Sequence, residues 1–473
     1  MRNHRFLITG GAGFIGSHFV RLLVDHHVPK ERLVVLDKLT YAGDIKRLGD
    51  CDASTHYFYK GDIGDAALID DILKTHQITC VVNFAAESHV DRSIEEQQSF
   101  MQTNYFGVQN LLDRTLKFWQ SRACLEEALF MQISTDEVYG SSAISGGLLF
   151  DEASPLKPMN PYAATKAAAD LLVGAYQNTY NYPAMIVRST NNYGPGQNSE
   201  KFIPKIIQCL KNNRDIPVYG QGEQMRTWVH VKDNCYRICQ LIRHGRVGEI
   251  YNVVGEAVIT NIDLAKKLVS LYTEAGKAYS GKVTFVEDRL GHDAYYHVSD
   301  RKLIDALGAY EQVFFEAALK ELLEGDDCGY KCKREARLVF TAWNDSLVTG
   351  VAFMDKEHKE IILRAEQLHE LLLHGHMAAY QTGLMELLTD YIVRHLDHEE
   401  ELQKMIGFHL LDQHRIHHEA FKKWAEDIHN QIKHAVLSKE ELLIIDYEIN
   451  EWFIDHILSE DMKVGDYHER MKV

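Results

Sequence analysis

From residue 5 onward the apolar positions fall into short β-rich runs at 5–9, Leu33–Asp37, 80–85, 130–134 and 184–188. Between these runs, longer stretches such as 15–26 and 162–178 keep apolar residues at helical spacing. Strands alternating with helices predict parallel βαβ units, hence an α/β, Rossmann-type doubly wound parallel sheet. Past about residue 195 the rhythm becomes irregular, which predicts a small lobe over the sheet. The stretch 302–324 predicts a helix, and 324–337 reads as a polar, Gly-containing connector. Beyond Trp343 the pattern is long, amphipathic and free of proline, with breaks at 374–378, 407–411 and 434–438. Four helices with short connections predict an all-α antiparallel four-helix bundle. The expected division is a first domain at 1–326, a linker at 327–340 and a second domain at 341–473.

Composition sharpens that division. Of the 68 Asp+Glu and 51 Lys+Arg, residues 341–473 carry 26 and 13, so −13 of the net −17 lies there. The same stretch holds 14 of the 25 histidines and no cysteine, while all eight prolines lie at or before Pro217. An acidic chain lacks the basic footprint that nucleic acid or an anionic membrane surface demands. No run of 18 or more apolar residues suggests a membrane span, and the N-terminus lacks the features of a signal peptide. Eight cysteines are too sparse for a disulfide scaffold, so a reducing cytoplasm is expected, with Cys328 and Cys332 as free thiols in the connector.

Gly10, Gly13 and Gly16 follow the first strand and open the first helix. Such glycines bring backbone amides up to a pyrophosphate at a helix N-terminus. Asp37 closes the second strand 21 residues after Gly16, where a carboxylate binds both ribose hydroxyls and repels a 2′-phosphate. The expected cofactor is therefore NAD. Tyr162 and Lys166 stand four apart near a helix start and share one face, as an acid/base pair whose ammonium is expected to lower the tyrosine pKa. Thr135, Asp136 and Glu137 follow a strand, where ligands of such sheets bind. Redox chemistry alone needs no second carboxylate pair; elimination of water does.

These segments resemble the dTDP-glucose 4,6-dehydratase family of extended short-chain dehydrogenase/reductases. The resemblance runs from TGGAGFIGSH (9–18) through ISTDEVYG (133–140), PYAATKAAAD (161–170) and VYGQGEQMRTWVHVKD (218–233) to FVEDRLGHD (285–293). It implies that Tyr162 is the base, assisted by Lys166 and Thr135, that Glu137 removes the C5 proton and that Asp136 protonates the departing hydroxyl. It extends the cofactor contacts to Phe14, Ile15, Lys38, Thr40, Asp62, Ile63, Ala85, Ala86 and Thr103. It assigns the nucleoside diphosphate sugar to Ser88, Asn191, Lys201, Arg226, Asn261, Arg289 and His292, and implies a homodimer. The chain departs from the family at Leu290, Ala294 and Tyr295, and at Val108. A rival expectation is a sensor that binds nucleotide without turnover; another is an epimerase, which shares the cradle and Tyr162/Lys166.

In the second half, His395 and Glu399 are four apart, as are His414 and His418; Asp461 follows His456 by five, and His358 lies in the first helix. Helices that each supply inward donors can hold metal. Two irons preferring about six donors each have roughly twelve positions; five imidazoles, two bridging carboxylates and a bridging oxygen leave about one open. The set His358, His395, Glu399, His414, His418, His456 and Asp461 resembles the single-domain bacterial hemerythrins, with DKEH (355–358), YIVRHLDHEEEL (391–402), HRIHHEAF (414–421) and WFIDHILSED (452–461) as context. The resemblance implies a di-iron, O2-binding domain. The other histidines of this stretch, His369 among them, are expected at the surface.

Overall fold

Seven parallel strands form the main sheet in the order β10-β6-β5-β4-β1-β2-β3. They are β1 (Phe6–Thr9), β2 (Leu33–Asp37), β3 (Tyr57–Lys60), β4 (Cys80–Asn83), β5 (Leu129–Thr135), β6 (Ala184–Ser189) and β10 (Ile250–Val253). The central strands are buried along their whole length, which is why they read as unbroken apolar runs rather than alternating ones. The two edge strands escaped the sequence pattern: β3 is exposed at both ends, and β10 is only four residues long. Helices cover both faces, among them α1 (Phe14–Asp25) and α2 (Pro161–Tyr180). Across the sheet, Thr9 Oγ1 donates to Asn83 Oδ1 at 2.6 Å and Asn83 Nδ2 to Gln132 Oε1 at 2.9 Å. This buried polar rung pairs groups that would be costly to leave unsatisfied.

The structure, a computed structural model, describes residues 4–26, 28–48, 55–142, 149–288, 293–310, 312–325, 343, 347–434, 437 and 439–471. Arg289, His292, Cys328 and Cys332 lie outside the described residues, as does the whole of the expected linker at 327–340. The irregular stretch after residue 195 contributes to two small sheets with a core of their own. One holds β7 (Asn191–Tyr193), β9 (Met225–His230) and β11 (Ala257–Thr260); the other pairs β8 (Ile216–Tyr219) with β12 (Val283–Val286). Around them pack Tyr193, Ile203, Leu210, Trp228, Leu268 and Leu319. The helix expected over 302–324 is instead two helices, Arg301–Leu307 and Phe315–Glu324, because Gly308 takes φ 80°, where the helix stops.

The chain divides into two compact units, the first carrying Met1–Leu307 and Gln312–Lys333, the second Gly308–Glu311 and Arg334–Val473. The second unit is helical: α3 (Ala352–Leu373), α4 (Met377–Glu386), α5 (Val393–Ile406), α6 (Leu411–His434), α7 (Lys439–His456) and α8 (Met462–Met471). A π turn, Leu387–Ile392, joins α4 to α5, and another, Ile457–Asp461, joins α7 to α8. Ile362, Leu372, Leu388, Leu396, Phe421 and Phe453 belong to one core between these helices. Among the described residues no helix is long and apolar enough to cross a membrane.

Two histidines make the first unit acid-sensitive. Burial pushes His18 down to about 4 and His230 down to about 3, with neighbouring cations pulling the same way. The unfolded chain takes up a proton near pH 6.5 that the folded chain refuses until far lower pH. Folding stability is therefore complete above pH 6.5 and falls as pH drops towards 4, on the order of 1 kcal/mol per pH unit for each histidine. Urea unfolding between pH 4.5 and 7.5 reads this slope, and His230→Gln should flatten it.

Candidate active site and candidate metal centre

The glycine turn after β1 leaves no room for side chains. Gly10 has φ +68°, and a Cβ there would come within 2.6 Å of Ala85 N; one on Gly16 would come within 2.3 Å of Gly10 O. Gly13 caps α1 without any side-chain bond, so the helix presents its N-terminal amides to whatever lies in the turn. Phe14 and Ile15 open that helix. Asp37 sits at the end of β2, its two oxygens accepting from Ala12 N at 2.9 Å and Leu39 N at 2.7 Å. Lys38 pairs with Asp62 at 2.7 Å beside the same edge, and Thr40 caps the turn whose Gly43 N reaches its carbonyl. Ile63 is buried, and its carbonyl accepts from Asn110 at 2.7 Å. Ala85 and Ala86 lie in the loop after β4, and Thr103 in a π turn, Gln102–Gly107. A capless helix end, a cradle that a Cβ would fill and an acidic residue at the second strand's end fit a dinucleotide.

The expected catalytic residues come from two segments. Strand β5 ends at Thr135 and runs into a 3-10 turn, Asp136–Tyr139; α2 starts at Pro161 behind the N-cap Asn160 and carries Tyr162 and Lys166. Asp136 is 1% exposed, and burial together with the neighbouring Glu137 carboxylate pushes its pKa up to about 8, against a pull from Arg226. At neutral pH it is an acid. Lys166, equally buried, donates to Ile133 O at 2.6 Å; burial lowers it to about 8 while Asp170 supports its charge. Tyr162 departs from expectation. Its pKa is raised, by burial first and then by Glu137 and Asp136, while a hydrogen bond with Thr135 pulls the other way. The lysine is aimed at a backbone carbonyl instead.

A pH dependence follows from Asp136. If its proton is the one delivered, turnover is retained on the acid side and falls up to about tenfold per pH unit above pH 8. The same raised pKa makes the folded state bind this proton more tightly than the unfolded chain does. Stability is therefore lost between about pH 4 and pH 8 on this account, and Asp136→Asn should raise Tm at pH 8.5 while removing the activity.

Two residues that the motifs did not single out support this geometry. Asn160 Nδ2 donates to Glu137 Oε2 at 3.2 Å, and its Oδ1 accepts from Ala163 N at 2.8 Å. Asn104, buried on the π turn, bonds both backbone groups of Glu87 and donates to Thr165 Oγ1 on α2. The Asn-Pro pair before Tyr162 was the legible signal for Asn160. Of the expected substrate contacts, Lys201 Nζ donates to Ser88 O at 2.8 Å, so these two meet. Arg226 donates to Met225 O and Asp293 O, and lies over the Tyr296 ring at 4.8 Å. Asn191 starts β7, and Asn261 starts the helix after β11, its backbone N–H bonded to Gln224 O.

Residues 7–322 match the GDP-mannose 4,6 dehydratase family. The chain belongs to that family. Its dehydratase unit is an NAD-dependent sugar-nucleotide dehydratase. A low-salt glycan biosynthesis protein of Haloferax volcanii, Agl12, is 45% identical over 325 residues, 68% of this chain and 99% of the relative. A dTDP-glucose 4,6-dehydratase of Xanthomonas campestris is 42% identical over 322 residues, 66% and 90% of the two chains. The crystal structure of DesIV, a dTDP-glucose 4,6-dehydratase of Streptomyces venezuelae with NAD bound, superposes with a TM-score of 0.61 at 40% identity, over 67% and 95%. The family match ends before the helical unit.

In that helical unit all seven expected metal donors are buried and converge in two groups: Glu399 with His414, His418 and His456, and His358 with His395 and Asp461. His456 Nε2 lies 3.1 Å from Nε2 of both His414 and His418 and 3.2 Å from Asp461 Oδ1. His395 Nε2, both ring nitrogens of His358, Glu399 Oε2 and both Asp461 oxygens lack a hydrogen-bond partner. Asp461 lies 3.0 Å from His358 Nε2 and 3.2 Å from His456 Nε2, and imidazoles and carboxylates packed this closely out of water are a group whose atoms suit a cation. The π turn explains the spacing of His456 and Asp461. In an α-helix residues five apart stand about 140° apart around the axis; the wider turn brings them onto one face.

Carboxylates brace the ring nitrogens on the far side. Glu357 accepts from His395 Nδ1 at 2.8 Å and His398 Nδ1 at 2.9 Å, and Glu400 lies 3.0 Å from His418 Nδ1. Such outer partners fix which nitrogen faces a metal. Trp452 stacks on His456 with ring centroids 4.8 Å apart and planes at 10°. His369, expected at the surface, is instead largely buried and pairs with Asp446 at 2.6 Å, because α3 turns that face toward α7. Helical spacing alone did not distinguish this face from the solvated one.

Proposed function

We propose that the first unit converts dTDP-glucose to dTDP-4-keto-6-deoxyglucose, and that the second is a hemerythrin-like four-helix bundle holding two irons. The observation that carries the first reading is a protonated, buried Asp136 beside Glu137 on one turn, facing the helix that carries Tyr162 and Lys166.

When bound, NAD serves as hydride acceptor for the sugar's C4 and later as hydride donor to C6. Tyr162, whose raised pKa makes the phenolate the minor form, takes the proton of the 4-hydroxyl when ionised, and Thr135 and Lys166 hold that end of the site. The resulting 4-ketone acidifies the C5–H bond. Glu137 removes the C5 proton; the electron pair left behind forms the C5=C6 bond as the C6–O bond breaks. Asp136 delivers its proton to the departing oxygen, which leaves as water. Glu137, having exchanged its proton with solvent, gives a proton to C5; the turnover leaves Tyr162 protonated and Asp136 ionised, and the starting state returns when Tyr162 releases its proton and Asp136 takes one up. Lys201 and Arg226 are cations suited to the diphosphate. The test is incubation of the intact chain with dTDP-glucose. A 4-keto-6-deoxy product, visible by its ultraviolet absorbance in alkali, is expected; absence of product with any nucleoside diphosphate hexose would remove the enzyme reading.

In the second unit, His358 and His395 would hold one iron, His414, His418 and His456 the other, with Glu399 and Asp461 between them. Such a centre supplies reversible O2 binding, for sensing, storage or redox response. The seven buried, mutually facing donors support it. We also read the dehydratase unit as a homodimer: Leu171 on α2 and Phe106 on the neighbouring π turn are 66% and 48% exposed, apolar area that a second copy would cover. Cysteines at 80, 124, 209 and 235 that carry no disulfide suit a reducing cytoplasm.

A further inference from the structure

The helix that carries the proton-transfer pair and the turn that carries the elimination pair touch through two buried links, and the second has no role in the reaction scheme above. The first is Asn160, which caps α2 and donates to Glu137 at 3.2 Å. The second lies nearly three turns further along α2. Asp170, four residues after Lys166, accepts from Arg188 Nε on β6 at 2.9 Å, with side chains 1% and 3% exposed. Arg188 then donates to the Tyr139 hydroxyl at 2.9 Å and lies over its ring at 4.9 Å. Tyr139 is the last residue of the Asp136–Tyr139 turn, and its hydroxyl donates onward to Asn252 at 2.8 Å on the sheet edge.

A fully buried arginine is costly unless its guanidinium is paired, and a planar fork can serve two acceptors at fixed angles where an ammonium cannot. Packing alone would be met by an apolar residue. An ionic bridge between α2 and the turn fixes their register instead. The reaction makes that register matter, since the same sugar meets Tyr162, then Glu137, then Asp136 without leaving.

We propose that Asp170, Arg188 and Tyr139 form a positioning brace that holds the Asp136–Glu137 turn in register with Tyr162 and Lys166. It rests on the dehydratase reading above. The brace acts mainly on the elimination half, because Tyr139 belongs to the turn, whereas α2 is fixed independently by its own cap and by Ser93 Oγ at Tyr162 N. Asp170 also supports the charge of Lys166.

The experiment is a rapid-mixing single turnover of the full, NAD-loaded chain with dTDP-glucose, following absorbance at 340 nm. Tyr139→Phe keeps the ring stacked on Phe150 and loses only the hydroxyl. The expected result is NADH formation within about twofold of wild type, with its disappearance slowed tenfold or more, in a chain that stays folded at the assay temperature although its Tm falls, since Arg188 and Asn252 each lose a buried partner. Arg188→Lys, which retains charge but loses the fork, should show the same split; Asp170→Asn leaves a buried unpaired cation and is read only through these two if it fails to fold. Equal slowing of both phases, or no slowing of either, would overturn the brace. Failure of the wild-type chain to form any NADH or product would count against the dehydratase reading instead.

Discussion

Glu137→Gln is expected to lower formation of the 4-keto-6-deoxy product by about 10²–10⁴-fold, the range of a general base in position. The substitution keeps the shape and the hydrogen-bonding reach of the side chain, so Asn160 can still hold it. It removes the only group on the turn that is free to accept the C5 proton, since Asp136 is already protonated at neutral pH. NAD should stay bound, because the glycine turn, Asp37 and Lys38 are untouched, and NADH should accumulate on mixing with substrate. A second consequence follows from charge. Glu137 is among the influences raising both Asp136 and Tyr162, so its neutralisation should shift the pH dependence of NADH formation to lower pH. Normal turnover in this variant would reassign the base.

The other large effect concerns the helical unit. His414→Ala or His418→Ala should take the iron content from about two per chain to near zero, while the far-ultraviolet helical signal of the chain is kept. His414 Nε2 lies 3.2 Å from Glu399 and 3.4 Å from Asp461, so it closes the three-histidine group against both carboxylates. Removal of iron from the wild-type chain should lower the Tm of this unit, because cation binding to buried donors is folding free energy. A wild-type chain that purifies without metal, yet melts identically with and without added ferrous iron, would leave these histidines as a polar core.

Much of this was legible along the chain because two strong periodicities meet there. Central strands buried on both faces write continuous apolar runs, and α2 announces itself through Asn160-Pro161 and the helical spacing behind it. The edge strands β3 and β10 carry weak patterns, being short or half-exposed, and the small lobe takes its strands from distant segments such as Asn191–Tyr193 and Ala257–Thr260. Within the sites, the convergence of His414 and His418 was readable from their i,i+4 spacing, but the pairing of His456 with Asp461 depends on a π turn that spacing alone does not announce. Partners were harder still. The Arg188–Tyr139 bond joins residues 49 apart, and the raised Tyr162 results from burial first and then from carboxylates 25 and 26 positions earlier. Burial and cross-chain charge set these pKa values, and neither is local.

The internal round trip of the hydride is the most direct test of the whole scheme. Substrate carrying deuterium at C4 should give product with deuterium at C6, retained within the same molecule even when unlabelled substrate is present, together with one proton from solvent at C5. Deuterium found back at C4 with the 6-hydroxyl intact would mean epimerisation. Deuterium lost to solvent or to free NAD would contradict the account outright.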